Sequence, residues 1–284
     1  MPPSKAYGRN QPKEEGATQM KKRAITSLVI GMMLVAVMVS SGTVFTQKSA
    51  AVTATLPAVQ LFHGPRAPLK EGTSTNWAGY AVETSLSSPQ SQAVSDVRGQ
   101  WVVPTVSPSA GNTYSSVWVG IDGYSDSTVE QIGTEQDYIN GQPRYYAWYE
   151  MYPKPSRLIR YPVAPGDIMS AEVNYIGKNQ FVLTLIDQTA GWTFSITQKA
   201  NAQRQSAEWI IEAPWSGGVL PLANFGTLSF DNTTATLNGH TGSVSDTTWH
   251  NDSITMTTSS GTVKARPSAL SPDGSSFSVK WYHN

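Results

Sequence analysis

The chain is predicted to be an all-β protein, in the form of a sandwich or a barrel. From Thr73 onward, short runs alternate apolar and polar residues and are interrupted by Gly, Pro, Asn and Asp. No segment of ten or more residues shows the 3.6-residue period of an amphipathic helix. Charged residues make up only 14% of the chain, against roughly 25% in soluble domains, which is typical of a β-rich extracellular surface.

Strands are predicted wherever this alternation is strong, and Gly, Pro or Asp residues separate them. Turns are predicted at residues 165–167 and 187–191. Because short strands recur every 10–20 residues or so, the pattern favours a sandwich or a barrel. Residues 73–284, about 212 in number, are enough for one such domain. The predicted strands are 76–82, 97–103, 115–121, 145–151, 168–175, 180–186, 207–212, 226–230 and 276–281.

The N-terminal part is predicted to direct secretion. Lys21, Lys22 and Arg23 precede an apolar run at residues 24–39, which is typical of a secretory signal. A signal-anchor is the alternative, although the run is shorter than the ~20 residues of a spanning helix. We assign residues 1–45 to the signal region and 46–72 to a propeptide or linker. The protein is therefore expected to be extracellular, with membrane contact only through the signal segment.

Charge and residue counts exclude several function classes. Residues 73–284 carry a net charge of −6, from 11 basic and 17 acidic residues. This domain has no basic patch, so nucleic acid is not an expected partner, and its self-repulsion falls in acid. The absence of Cys excludes disulfides and thiolate catalysis. None of the four His residues lies at a recognised metal-binding spacing, so no metal or cofactor is expected.

Two carboxylates on one predicted strand are candidates for acid–base chemistry. Glu208 and Glu212 are four residues apart, so they lie on one face of the strand, about 13 Å from each other. That distance is too long for a direct acid–base pair, since paired glycosidase carboxyls lie ~5 to ~9.5 Å apart. Each Glu therefore needs a partner from another strand. The alternative is an exposed strand face on which both Glu side chains are solvated.

The other candidates are polar or aromatic residues within strands. Asp122, in the run Ile-Asp-Gly, is more typical of a turn residue than of a catalytic one. Glu150 lies among aromatic residues and is either buried with partners or part of a cleft. The tryptophans either belong to the core or form the wall of a groove. These candidates are Gln131, Asp122, Glu150, Trp118, Trp148 and Trp209.

Taken together, these segments resemble the glutamic peptidases, also called eqolisins. The resemblance covers roughly residues 74–281 and consists of several motifs in the family's order. The cysteines of fungal members are absent, which fits a bacterial or archaeal member. The matching motifs are Asn76-Trp77-Ala78-Gly79, Trp101–Pro104, Trp118–Gly123, Glu130–Gly133, Ala147–Pro153, Ala207–Glu212 and Phe225-Gly226.

The resemblance implies a fold, a reaction and a catalytic pair. The implied fold is a two-sheet antiparallel β-sandwich of the concanavalin-like jelly-roll type, with the site on its concave face. Gln131 and Glu212 fall on the family's catalytic positions, and Glu208 remains the alternative to Glu212. The implied activity is a secreted acid endopeptidase that acts on proteins or peptides, and we expect a monomer. The expected supporting and cleft residues are Asp122, Trp118, Glu150, Trp148, Glu208 and Trp209.

The sequence departs from the family pattern just after Gln131. Ile132 replaces the usual Thr, and the segment Thr134–Tyr138 replaces the usual Val-Asp-Phe. The supporting acidic residue is consequently either Glu135 or Asp137. A carbohydrate-binding sandwich, or a glycosidase that pairs Glu150 with Glu208 or Glu212, is the alternative function.

Inhibitors test the proposed class of chemistry. Because neither an aspartic dyad nor a metal is predicted, pepstatin and metal chelators should leave hydrolysis of casein at acid pH unchanged. The measurement is the rate of casein cleavage with and without each compound. A chelator that abolishes cleavage would contradict the prediction.

Overall fold

The structure, a computed structural model, describes residues 60–64 and 72–284, which belong to one compact unit. The predicted signal region at 1–45 lies outside the described residues, as does most of the predicted propeptide at 46–72. The prediction of an all-β protein is confirmed, since the described residues form strands and contain no α-helix. Accordingly, none of them belongs to a helix long and apolar enough to cross a membrane.

Sixteen strands are described. In chain order they are β1 Thr73–Ser74, β2 Trp77–Glu83, β3 Val94–Val102, β4 Ser116–Ile121, β5 Val129–Ile139, β6 Gln142–Tyr152, β7 Arg157–Ile159, β8 Ile168–Gly177, β9 Gln180–Asp187, β10 Trp192–Lys199, β11 Ser206–Glu212, β12 Thr227–Leu237, β13 His240–Ser243, β14 His250–Thr257, β15 Val263–Pro267 and β16 Phe277–Trp281.

The strands form two sheets that share β14, and the predicted antiparallel sandwich is confirmed. The first sheet has the order β10-β9-β8-β3-β12-β16-β15-β14, and the second has the order β14-β2-β11-β4-β5-β6-β7. Neighbours in both sheets are antiparallel, whereas the short β1 pairs with β14 in parallel. Strands β3 and β8 of the first sheet lie against β4, β5 and β11 of the second, so the main core lies between the sheets.

Strand alternation gives the second sheet two different faces. In β11, Ala207, Trp209 and Ile211 belong to the core between the sheets. Ile210 belongs instead to a second apolar cluster, together with Trp118 and Trp148. Because successive side chains point to opposite faces of a strand, the second cluster lies on the side of the sheet that faces away from its partner. We call this side the outer face.

A glycine on the outer face leaves room for these large aromatic rings. Gly133 of β5 lies opposite Trp118 of β4 and Trp148 of β6. A Cβ atom at Gly133 would lie 2.1 Å from the Val117 carbonyl oxygen and 2.6 Å from the Trp118 Cβ atom. A backbone oxygen and the first carbon of a side chain can move away only if the strand itself shifts. The glycine that follows Gln131-Ile132 is therefore required by the close approach of β4 and β5.

Replacing Gly133 tests this packing constraint. Gly133→Ala should destabilise the domain, because overpacking in a core costs ~1–3 kcal/mol. For a domain of this size each kcal/mol lowers Tm by ~2–4 °C, so a drop of about 5 °C is expected in thermal unfolding followed by circular dichroism. Gly218→Ala is the control, since a Cβ atom there would meet open space. Equal losses in both variants would contradict the packing argument.

Candidate active site

The predicted catalytic pair lies on the outer face of the second sheet. Gln131 of β5 lies opposite Glu150 of β6. Glu212, the last residue of β11, lies opposite Trp77 of β2 and Ser116 of β4. Register and alternation together place Gln131, Glu150 and Glu212 on one face. All three are buried.

The segment Gln60–Gly64 lies across this face and has the backbone pairing of a short strand. Phe62 donates its N–H to the carbonyl of Trp215 over 3.1 Å, and Trp215 donates its own to Phe62 over 3.0 Å. The Leu61 side chain packs with Tyr114 and Ile139. The Leu61 carbonyl accepts a hydrogen bond of 3.2 Å from the Ser156 hydroxyl. A segment of the chain therefore occupies the outer face as a bound peptide strand would. We call the surface that contacts Gln60–Gly64 the cleft.

Gln131 and Glu212 contact opposite ends of one peptide bond in this segment. The Gln131 amide Nε2 donates to the His63 carbonyl oxygen over 2.5 Å. The Gly64 N–H donates to Glu212 Oε1 over 2.9 Å. Two side chains from different strands therefore meet at the His63–Gly64 bond, one at its oxygen and the other at its nitrogen.

Further N–H donors fix the Glu212 carboxyl in place. The Trp118 indole donates to Glu212 Oε2 over 2.9 Å. The Asn76 side-chain amide donates to Glu212 Oε1 over 3.0 Å and to the Gly64 carbonyl over 2.9 Å. Burial raises the pKa of Glu212 well above its usual range, and the hydrogen bonds from Gly64 and Trp118 oppose this rise. Desolvation is the larger effect, so this carboxyl retains its proton to a higher pH than a surface Glu.

Two other carboxyls and an indole surround the His63 side chain. His63 Nε2 lies 3.0 Å from Glu135 Oε2, and His63 Nδ1 lies 3.3 Å from Glu150 Oε2. The imidazole stacks on Trp148, with the ring centroids 3.7 Å apart and the planes 8° from parallel. Glu150 also accepts hydrogen bonds from the His63 backbone N–H and from the Gln131 amide, over 2.9 Å and 3.1 Å.

The carboxyls beside His63 share the raised pKa values of a buried site. Burial raises the pKa of Glu135 to about 8. It raises the pKa of Glu150 to about 7, against the opposing effect of the His63 contacts. Asp137 is two residues after Glu135 on β5 and therefore lies on the same face. Burial and the neighbouring Glu135 carboxyl raise the pKa of Asp137. It accepts a hydrogen bond of 3.3 Å from the Tyr146 hydroxyl. Of the two acidic residues left open by the sequence, Glu135 therefore lines the cleft.

Three residues expected in the cleft lie elsewhere, and they are Trp209, Asp122 and Glu208, the last of which belongs to a second group of carboxyls described below. Trp209 belongs to the core between the sheets, and its indole donates to the Arg98 carbonyl over 2.6 Å. Strand alternation turns it away from the outer face that carries its neighbour Glu208. Asp122 follows the end of β4 with a positive φ of 73°. Its carboxylate accepts the backbone N–H groups of Arg204 and Gln205 over 2.6 Å and 2.7 Å, so it fixes a loop instead of touching the bound segment.

Sequence reasoning also missed two cleft residues. Asn76 lies in a motif that matches the family, but its contact with Glu212 depends on the pairing of β2 with β11, which the motif does not reveal. His63 falls within the predicted propeptide or linker. The available signal was the short run Leu61-Phe62-His63, which is aromatic and apolar within a stretch rich in Ala, Thr and Pro.

Comparison with known proteins gives consistent matches. The model of the Peptidase A4 family matches residues 75–281. The chain is 30% identical over 204 residues to Aspergillopepsin-2 of Aspergillus niger, an alignment that covers 63% of this chain and 70% of that protein. The crystal structure of aspergilloglutamic peptidase from Aspergillus niger is similar with a TM-score of 0.53 and 29% identity, over 60% of this chain and 99% of that one.

More distant solved structures share the fold. Scytalido-glutamic peptidase, solved with a peptide-based transition state analog, gives a TM-score of 0.60 at 24% identity. SCP-B, a member of the eqolisin family solved with the tripeptide Ala-Ile-His, gives a TM-score of 0.59 at 21% identity. Each similarity covers 73% of this chain and 98% of the other.

A second group of carboxyls lies toward the other end of β11, where Glu208 lies opposite Ala81 of β2 and Gly120 of β4. We call Glu83, Asp122, Asp126, Glu130 and Glu208 the carboxyl cluster. Burial is the main cause that raises the pKa of Glu208, and the charges of neighbouring cluster members raise it further. Burial likewise raises the pKa of Glu83 to about 7. Ionising this cluster therefore costs both desolvation and mutual repulsion.

The raised pKa values predict that stability falls as pH rises. A carboxyl with a higher pKa in the folded than in the unfolded state contributes stability that is fully present below the unfolded value, about 4.5, and is lost as pH rises through the folded value. With folded values of about 7 for Glu83 and about 8 for Glu135, Tm should fall between pH ~4.5 and ~8. Thermal unfolding across a series of buffers measures this dependence.

Two variants separate the effect of one group from a general pH effect. Glu83→Gln should flatten the decline of Tm between pH ~4.5 and ~7, because the amide does not titrate. Asp273→Asn should leave the slope unchanged there. Hydrogen bonds from Ser271 and Ser275 lower the pKa of Asp273 to about 2, so its contribution is lost only in stronger acid. A slope that Glu83→Gln leaves intact would contradict the assignment.

Proposed function

The chain belongs to the Peptidase A4 family and is a glutamic endopeptidase, and from that premise we propose that Glu212 and Gln131 are its catalytic pair. In this proposal Glu212 is the general base and then the general acid. Gln131 orients the attacking water and donates a hydrogen bond to the oxyanion. Glycosidase and carbohydrate-binding functions are not favoured, because the family match is to peptidases.

The observation that carries the proposal is the shared contact with one peptide bond. A peptidase must stabilise negative charge on the carbonyl oxygen and deliver a proton to the leaving nitrogen. The Gln131 amide lies on the oxygen of His63, and the Glu212 carboxyl lies on the nitrogen of Gly64. Each group therefore occupies the end of the bond at which its chemistry is needed.

The cycle follows from these positions. A water molecule attacks the carbonyl carbon while Glu212 takes its proton, which is acid–base assistance worth ~10²- to 10⁴-fold in rate. The developing oxyanion stays in contact with the Gln131 amide, a neutral donor that does not titrate. Glu212 then passes the proton to the leaving nitrogen. Because burial raises its pKa, the Glu212 carboxylate is a stronger base than a surface carboxylate.

The residues around the pair would orient it and select substrates. Asn76 and Trp118 donate to separate oxygens of Glu212, which limits rotation of the carboxyl group. Glu135, Glu150 and Trp148 form a pocket for the side chain that precedes the cleaved bond. Supporting residues of this kind hold catalytic groups within the small tolerance that proton transfer requires.

The substrate class and the location are proposed on related grounds. The peptide ligands named for scytalido-glutamic peptidase and SCP-B support peptides as substrates of this chain. Secretion is supported by Lys21–Arg23 and the apolar run at 24–39. An acidic working range is supported by the net charge of −6 on residues 73–284, because self-repulsion within this domain falls in acid.

Substitution of the pair tests the proposal directly. Glu212→Gln should abolish casein hydrolysis at acid pH, because an amide cannot exchange the proton. Gln131→Ala should lower kcat by ~10²- to 10³-fold, which is the usual cost of losing one oxyanion donor. Both variants should retain the β-rich circular dichroism spectrum of the parent protein.

Glu208→Gln is the matched control, since it makes the same chemical change on the same strand and face. Glu208 lies in the carboxyl cluster, so this variant should keep most of its activity. Retained activity in Glu212→Gln, or an equal loss in Glu208→Gln, would contradict the choice of Glu212.

A further inference from the structure

We infer that the bond between His63 and Gly64 is one that the enzyme cleaves in its own chain, so that the mature protein begins at Gly64. The inference rests on the proposed function of Gln131 and Glu212. It goes further because it identifies a processing site and the residues that recognise it. Within the predicted propeptide or linker at 46–72, it places the cut at one bond and leaves residues 64–72 on the mature enzyme.

The backbone of Gln60–Gly64 is held as a substrate would be. Phe62 pairs with Trp215 through two backbone hydrogen bonds, and His63 donates its N–H to Glu150. After the bond in question, the Gly64 carbonyl accepts a hydrogen bond from Asn76. Polar backbone groups on both sides of the His63–Gly64 bond are thus bound by the cleft, which fixes the register of the chain at this bond.

The His63 side chain fits a pocket that is specific for its chemistry. Its two ring nitrogens face carboxylate oxygens of Glu135 and Glu150, at 3.0 Å and 3.3 Å. An imidazole places one ring nitrogen in hydrogen-bond contact with Glu135 and the other beside Glu150, so it matches both carboxyls at once. The stacked indole of Trp148 requires a flat side chain. A planar group with a nitrogen on each side therefore satisfies the pocket, whereas an aliphatic residue leaves two buried carboxyls unpaired.

The position after the bond is suited to a small residue. A Cβ atom at Gly64 would lie 3.2–3.3 Å from three carbon atoms of the Tyr152 ring, which is closer than ordinary van der Waals contact. Before the bond, Leu61 packs with Tyr114 and Ile139, and the Phe62 ring makes an edge contact with Trp215 at 6.1 Å. The local sequence Leu-Phe-His-Gly thus complements four successive positions of the cleft.

The cleavage step is an ordinary hydrolysis. Water adds its oxygen to the carbonyl carbon of His63, and its proton passes through Glu212 to the nitrogen of Gly64. The carbon–nitrogen bond breaks, leaving a carboxylate on His63 and a free amine on Gly64. Until this happens, the segment covers Gln131 and Glu212 and excludes other peptides. After it, the fragment that ends at His63 is free to dissociate.

The N-terminus of the full chain, produced in a secreting host and held at acid pH, tests the inference. N-terminal sequencing and intact mass should show a wild-type protein that begins at Gly64. The Glu212→Gln variant should retain the His63–Gly64 bond. An active wild-type enzyme with this bond intact, or with an N-terminus at another residue, would overturn the inference while leaving the proposed function standing.

A synthetic peptide gives a second test that does not depend on folding of a variant. The peptide Gln-Leu-Phe-His-Gly-Pro-Arg reproduces residues 60–66, and the active enzyme should cut it between His and Gly. Replacing this His by Ala should lower kcat/KM at least tenfold, and the loss should shrink in the enzyme variant Glu135→Gln. Casein cleavage without cleavage of the peptide overturns the inference alone, whereas failure on both substrates overturns the proposed function as well.

Discussion

The site depends on a carboxyl group that is buried yet surrounded by N–H donors. Glu212 loses its contact with water, which favours the neutral acid. Trp118, Asn76 and Gly64 then supply hydrogen bonds that favour the anion. The balance leaves a carboxyl whose pKa is raised but which has a fixed orientation. The strands around it position these donors, and the glycine at position 133 allows β4 and β5 to approach closely enough for Trp118 to reach its partner.

Acid conditions suit the fold, because the described domain buries many carboxyl groups. The outer face buries Glu135, Asp137, Glu150 and Glu212 near the cleft, and the carboxyl cluster lies at the other end of β11. Keeping all these groups ionised would require desolvated charges of one sign to lie close together. Protonation removes that cost. A protein that stores acidic side chains in this way is most stable in acid, where these groups are neutral.

Strand alternation made much of the fold and part of the site predictable from sequence. The run at 207–212 correctly placed Glu208 and Glu212 on one face, separated along β11. Trp209 was wrongly expected in the cleft because it belongs to a motif shared with the family. Its position in β11, one residue after Glu208, places it on the opposite face of the strand. The contact of Asn76 with Glu212 depends on the register of β2 with β11. That register is set by long-range pairing, which a single sequence does not display.

The segment that occupies the cleft affects the pKa of Glu212. With Gln60–Gly64 in place, Glu212 is fully buried, and desolvation is the largest contribution to its raised pKa, ahead of the opposing hydrogen bond from Gly64. A seated peptide strand therefore adds both an effect that favours the neutral acid, through desolvation, and a hydrogen bond that favours the anion. The anion is the form that takes a proton from water, and the neutral acid is the form that donates one to the leaving nitrogen. A seated strand thus acts on both halves of the proposed cycle.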